Sequence, residues 1–179
     1  TSDSTEAIYD AVDKGCKVIN ISFGCQEAVK AEQDAIQYAL DKGVIVVAAA
    51  GNDENSEYNY PASYPGVISV AAIDRDKKRA YFSNYNDRVS LTAPGQEIMT
   101  LQVGGTYANA HGTSFAAPHV AGIAALALSI QPNLTASDFM TLARVTSRDL
   151  GPVGYDREYG YGLIDAQALL ASLKSSFPD

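Results

Sequence analysis

The chain has 179 residues, 46% of them hydrophobic and 19% charged, a balance that buries a core and excludes a disordered polymer. Lys and Arg number 13 against 21 Asp and Glu, and the net charge of −8 argues against nucleic acid or an anionic membrane as a partner. The longest apolar stretch, residues 115–128, is interrupted by His119 and is shorter than the ~20 residues that cross a bilayer, so it reads as a central buried helix.

In chain order, Asp3 or Ser4 can cap a first helix, with Ile8, Ala11 and Val12 on one face and Gly15 as its stop. The apolar run 18–23 reads as a strand. A second helix spans about residues 27–42, with Ala35, Ile36, Ala39 and Leu40 inward and Gly43 at its end. Residues 44–49 form an unbroken β-branched and small run, the mark of a strand covered on both faces. A polar, Tyr-rich loop over 52–65 leads to a strand at 67–72. Residues 74–90 are charged and turn-rich and read as surface hairpins, with another short strand at 89–93. A long small-residue helix follows over 114–131. Thr135 and Asp138 have capping-box spacing for the next helix, although Asp replaces the usual Glu, and a last helix covers 165–173.

Helix–strand alternation of this kind implies an α/β fold, a mostly parallel sheet flanked by helices, with residues 1–179 as a single domain. No repeat or linker is visible. Cys16 and Cys25 flank the strand at 18–23, whose extended length separates its ends by roughly 20 Å or more, so they should not pair with each other. No His/Cys/Asp cluster has metal-ligand spacing.

The segment His111-Gly112-Thr113-Ser114-Phe115-Ala116-Ala117-Pro118-His119-Val120-Ala121-Gly122 is a turn with one serine opening a long helix. Ser114 at a helix start lies in the positive field of the peptide dipoles, and its own N–H is not used by the helix. An anion forming beside it meets a donor already in place. The same string also suits a plain Thr/Ser N-cap on a buried helix. His119, five residues on, is turned roughly 140° from Ser114 and reads as a packed helix residue with a satisfied ring. His111 precedes the turn and suits no triad geometry with so near a neighbour. Gly51-Asn52 ends a strand at the carboxyl edge of a parallel sheet, where ligands collect.

Residues 112–122 are very similar to the segment around the catalytic serine of the subtilisin-like serine proteases, and the resemblance runs over nearly the whole chain. Val18-Ile19-Asn20-Ile21-Ser22-Phe23-Gly24 resembles that family's substrate-binding strand, and Val46-Val47-Ala48-Ala49-Ala50-Gly51-Asn52 its strand ending at the oxyanion asparagine. Tyr64-Pro65-Gly66-Val67-Ile68-Ser69-Val70-Ala71-Ala72, Ala93-Pro94-Gly95 and Gly160-Tyr161-Gly162-Leu163-Ile164-Asp165-Ala166 follow in the family's order.

The resemblance implies a serine endopeptidase with Ser114 as nucleophile and Asn52 as oxyanion donor beside the Ser114 N–H. Thr113 belongs to the same site. Ser22, Phe23 and Gly24 would form one wall of the S1 pocket, and Ala49, Ala50 and Gly51 the other. Small walls leave room for a large apolar P1 side chain, while Asp53, Glu54 and Glu57 near the mouth suit a basic one. Phe115 stands where many relatives carry Met.

Family order is Asp, then His, then Ser. The aspartate turn and the histidine helix are absent from these residues, so the chain reads as the serine-bearing C-terminal portion of a subtilase catalytic domain, its sheet incomplete on the N-terminal side. Its expected partners are a peptide or protein substrate and a segment, upstream or on a partner chain, that carries Asp and His. Self-association through an open sheet edge is also expected. No cofactor is required; calcium is admitted by the acidic loops at 53–57, 74–76 and 156–158, although Ser90 replaces an aspartate of one common site. Family resemblance favours a secreted or cell-envelope location. The alternative function is a catalytically inactive pseudoprotease or peptide-binding module. A nucleotide-binding α/β protein is set aside, because Gly104-Gly105-Thr106 lacks the G-x-G-x-x-G spacing.

Overall fold

A computed structural model of the chain describes residues 2–176. Its centre is a four-stranded sheet in the order β1 (Val18–Ile21), β2 (Ile45–Ala49), β3 (Ile68–Ile73), β4 (Val89–Pro94), with every neighbouring pair parallel. Helix α1 (Ser2–Asp13) precedes β1, and α2 (Lys30–Asp41) connects β1 to β2. After β4 comes an antiparallel ribbon of β5 (Ile98–Gln102) and β6 (Thr106–Ala110), then α3 (Thr113–Ile130), α4 (Ala136–Thr146) and α5 (Ala166–Ser176).

Alternation along β2 sorts the core into two layers. Ile45, Val47 and Ala49 cluster with Ile68, Val70 and Ala72 of β3 and with Ala116, Ala117, Val120, Ala124 and Ala127 of α3. Phe139 of α4 and Leu169 and Leu173 of α5 extend that cluster. On the opposite face Val46 and Ala48 meet Ile8 and Val12 of α1 and Ala35, Ile36 and Ala39 of α2. A sheet covered on both faces needs no polar alternation, which is why 44–49 carries none. By length and composition alone α3 would pass as a membrane span. It lies instead against the sheet, where its alanines allow close approach.

Local chemistry explains most boundaries. Gly15 and Gly43 take φ of 84° and 76° after α1 and α2. At α4, Thr135 Oγ1 accepts from the Asp138 N–H at 3.1 Å, and Asp138 Oδ2 accepts from the Thr135 N–H at 3.2 Å, so Asp completes the capping box.

The structure differs from the sequence reading at several points. Helix α1 already includes Asp3 in its first turn, so neither Asp3 nor Ser4 is its N-cap. Helix α2 starts at Lys30, because Cys25 is bridged to Tyr60 and both Val29 backbone groups bond the Tyr64 hydroxyl, at 2.9 and 3.1 Å. Residues 74–78 form one tight turn, in which Asp74 Oδ1 accepts from the Asp76 and Lys78 N–H groups, both at 2.9 Å. The β5–β6 ribbon was not anticipated.

Candidate active site

Gly112 has φ of 150° and ψ of 152°, a conformation that a side chain resists, and it turns the chain into α3. Thr113 and Ser114 are thus the first helical residues, and the helix offers their N–H groups no acceptor. The Thr113 N–H donates to Asn52 Oδ1 at 2.8 Å, and Thr113 Oγ1 donates to the same oxygen at 2.9 Å. Thr113 Oγ1 in turn accepts from the Gly51 N–H at 3.2 Å. Only the oxygen of an amide can receive a backbone N–H, so Asn52 is oriented with Nδ2 left to donate.

Asn84, fully buried, grips the chain on both sides of Asn52. Its Oδ1 accepts from the Asp53 N–H at 2.8 Å, and its N–H donates to Gly51 O at 3.0 Å. Gly51 has φ of 113°, and a Cβ there would lie 2.3 Å from Asn84 Nδ2, so only glycine fits. Sequence reasoning missed Asn84, whose contacts bridge about thirty residues and leave no local pattern.

Ser114 Oγ donates to Ser22 O at 2.8 Å, and Ser22 Oγ donates to Ser114 O at 2.9 Å. Ser22 Oγ also accepts from Asn20 Nδ2 at 2.8 Å. That the Ser114 carbonyl is open to Ser22 Oγ has a local cause. Its helical partner would be the N–H at position 118, and Pro118 has none.

These groups open on a cavity of about 300 Å³. Ser22, Phe23 and Gly24 line one side, and Ala49, Gly51, Asn52 and Asp53 the other. Thr113 and Ser114 close it, together with Asn59, which the sequence reading did not single out. Of the anticipated catalytic and wall residues Ala50 stays out, because the strand's alternation buries it against Ala71 and Val89; of the acids expected near the mouth, Asp53 lines the cavity and Glu54 and Glu57 do not. Two other hollows, of about 300 and 490 Å³, lie around Arg144 and share no residue with this one.

Neither histidine bonds Ser114. His119 is exposed instead of packed, and its Nδ1 meets Phe115 O at 2.7 Å. His111 Nδ1 accepts from the Glu97 N–H at 3.2 Å, beside the ribbon. Both cysteines are free and exposed. Among the acidic loops, Asp74 and Asp156 each spend Oδ1 on two backbone N–H groups of their own turns. Among the described residues no three acidic, His or Cys side chains converge.

Comparison with known proteins places the chain in a family. The Subtilase family (Peptidase_S8) matches residues 1–162. The thermophilic serine proteinase of Bacillus sp. (strain AK1) is 48% identical over 128 residues, 72% of this chain and 32% of that protein. Subtilisin DY of Bacillus licheniformis is 41% identical over 162 residues, 88% of this chain and 58% of that protein. The chain therefore spans about a third of one relative and just over half of the other. Among solved structures, the prenylagaramide maturation protease PagA matches with a TM-score of 0.86 and 31% identity, over 97% of this chain and 67% of its own. Fervidolysin from Fervidobacterium pennivorans, a keratinolytic enzyme related to subtilisin, matches with a TM-score of 0.85 and 36% identity, over 93% of this chain and 28% of its own. With the family match over most of the chain, relatives above 40% identity and the shared fold, the chain belongs to the subtilase family of serine peptidases.

Proposed function

We propose that this chain carries the nucleophile, oxyanion hole and substrate walls of a subtilisin-type serine endopeptidase. The carrying observation is the pair of bonds from Thr113 to Asn52 Oδ1, which frees Nδ2 to donate, while a Cβ built on Gly112 would lie 3.6 Å from the Ser114 N and 3.7 Å from that Nδ2. Ser114 Oγ attacks the scissile carbonyl, and these two donors receive the negative charge that develops on its oxygen. The backbone of Ser22, Phe23 and Gly24 holds the peptide as an added strand, with Gly51 and Ala49 across the P1 side chain.

The general base comes from outside these residues, with its orienting aspartate, on an upstream segment or a partner chain. Ser114 Oγ donates to a carbonyl, and His111 and His119 are both engaged elsewhere. In subtilisin itself, loss of the triad histidine lowers turnover about 10⁶-fold, and the isolated chain is expected to be as impaired. Peptide binding without hydrolysis is the second reading, favoured by that same serine–carbonyl bond. A secreted or cell-envelope setting accords with the family, and no metal enters any step.

Fluorophosphonate labelling followed by peptide mapping tests the proposal. The chain joined to a subtilase segment bearing the His and Asp should be labelled at Ser114 and should cleave casein, and Ser114→Ala should abolish both. Labelling elsewhere, or proteolysis that survives Ser114→Ala, would overturn the assignment.

A further inference from the structure

We infer that Asn84 is a positioning residue for turnover: by holding the main chain on both sides of Asn52, it sets where Asn52 Nδ2 stands. The inference rests on the reading of Ser114 and Asn52 given above. Asn84 does not line the cavity, so it acts through Asn52.

Asn52 needs such a hold. Strand β2 ends at Ala49, and residues 51–56 follow without helix or strand. Gly51, at φ of 113°, has no Cβ to restrict the entry to this turn. The bonds from Thr113 fix the amide oxygen of Asn52 but not the two peptide groups that flank it. Asn84 takes one atom of each. Its N–H donates to Gly51 O, in the peptide that enters Asn52, and its Oδ1 accepts from the Asp53 N–H, in the peptide that leaves it. The Glu54 N–H donates to Phe82 O at 2.9 Å and the Tyr85 N–H to Asn55 O at 3.0 Å, which extends the same pairing.

The holding segment is itself fixed. Ser83 Oγ accepts from the Ala72 N–H of β3 at 3.0 Å and donates to Asn84 O at 3.2 Å. Arg79 Nη1 donates to Ser83 O at 2.6 Å, with its guanidinium 4.7 Å from the centre of the Tyr85 ring. Asn52 is exposed, whereas Ser83 and Asn84 are fully buried. An exposed turn thus takes its position from a buried frame.

Packing alone does not account for an amide at position 84. Its Nδ2 is buried without a partner among the described residues. An unpaired buried N–H is destabilising, and a leucine of similar shape would remove it. The side chain is a poor core residue that supplies one acceptor beside Asn52.

The test is a double-mutant cycle on turnover, in the chain joined to the His- and Asp-bearing segment, with fluorophosphonate labelling of Ser114 to show that the site is assembled. Asn84→Leu and Asn84→Ala should each lower kcat about tenfold or more and leave KM within about twofold. In an Asn52→Ala background the same substitutions should change kcat by less than about twofold, because the donor they displace is gone. Asn84→Leu should melt near the parent, which separates lost turnover from lost fold; if it does not fold, Asn84→Ala carries the cycle. Unchanged kcat, equal losses in both backgrounds, or a rise in KM alone overturns the role of Asn84 and leaves the reading of Ser114 and Asn52 intact. Failure of labelling, or turnover unmoved by Asn52→Ala, overturns that reading and the role of Asn84 with it.

Discussion

Ser22 and Ser114 hold one another by two reciprocal hydrogen bonds, each hydroxyl donating to the other residue's carbonyl, at 2.9 and 2.8 Å. The contact exists because Pro118 cannot supply the N–H that would otherwise occupy the Ser114 carbonyl. Ser22→Ala should therefore cost about 1 kcal/mol in a urea melt. The cost should shrink in a Pro118→Ala background, where a backbone N–H is restored to that carbonyl. A double-mutant cycle reads the coupling, and equal costs in both backgrounds would refute it.

In the proposed mechanism Asn52 donates through Nδ2 while Thr113 holds its oxygen. In the enzyme assembled with its base, Asn52→Ala should lower turnover by about 10²–10³-fold, the size known for this donor in subtilisin. Thr113→Val removes one of the two bonds to Oδ1 and strands the Gly51 N–H. Turnover should fall by up to about 10²-fold, with KM little changed, because the donor is displaced while the walls stay. Full turnover in Thr113→Val would show that the amide needs no such hold.

Glu32 is buried on α2, and burial pushes its carboxyl above the usual carboxylate range, with contact to the Tyr64 hydroxyl pulling partly back. A raised folded-state pKa means the native protein holds this proton more tightly than the unfolded chain. Its contribution to stability is therefore greatest below about pH 4 and declines as pH rises through the ordinary value of 4.5 and the raised one. Glu32→Gln should be more stable than the parent at neutral pH and should lose that slope. Denaturant melts from pH 4 to 8 check it; an unchanged slope would exclude Glu32 as the source.

Thr135 and Asp138 satisfy each other's backbone at the start of α4. Thr135→Ala should cost about 1 kcal/mol. The Thr135 bonds hold the Asp138 carboxyl below its ordinary value of 3.8, so the stability it lends is present above that value and fades as pH falls through the lowered one. The parent and Thr135→Ala curves should converge in acid; a constant gap would place the effect elsewhere.

Among the described residues β1 pairs only with β2, and Val18 and Ile19 are half-exposed. An open parallel edge templates further pairing. The chain should self-associate with concentration in sedimentation experiments, and Ile19→Lys should reduce this, with a lower melting temperature as well because Ile19 also packs against the α1–α2 core layer. A monomer at every concentration would remove the edge as an interaction surface.

Much of this fold was legible because apolar runs are local. Residues 44–49 and 67–72 announce buried strands, and Thr135 with Asp138 announces a helix start. The ribbon escaped because Met99, Leu101 and Tyr107 are exposed, which blurs the inside–outside alternation that marks a strand. The late start of α2 depends on Tyr60 and Tyr64, more than thirty residues downstream. In the cleft, the serine turn and glycine-bounded walls could be read from short strings. Asn59 and Asn84 could not: each is an ordinary loop asparagine until distant backbone closes around it.

The bonds between Ser22 and Ser114 join residues 92 apart, and those between Asn52 and Thr113 join residues 61 apart. Closing long loops costs only slightly more entropy than closing short ones, yet contacts so distant in sequence slow the search for the native state. Local helix can form long before either pair has met. The Ser114 hydroxyl is thereby a clock for the end of refolding: signals that report its surroundings should lag far-ultraviolet circular dichroism.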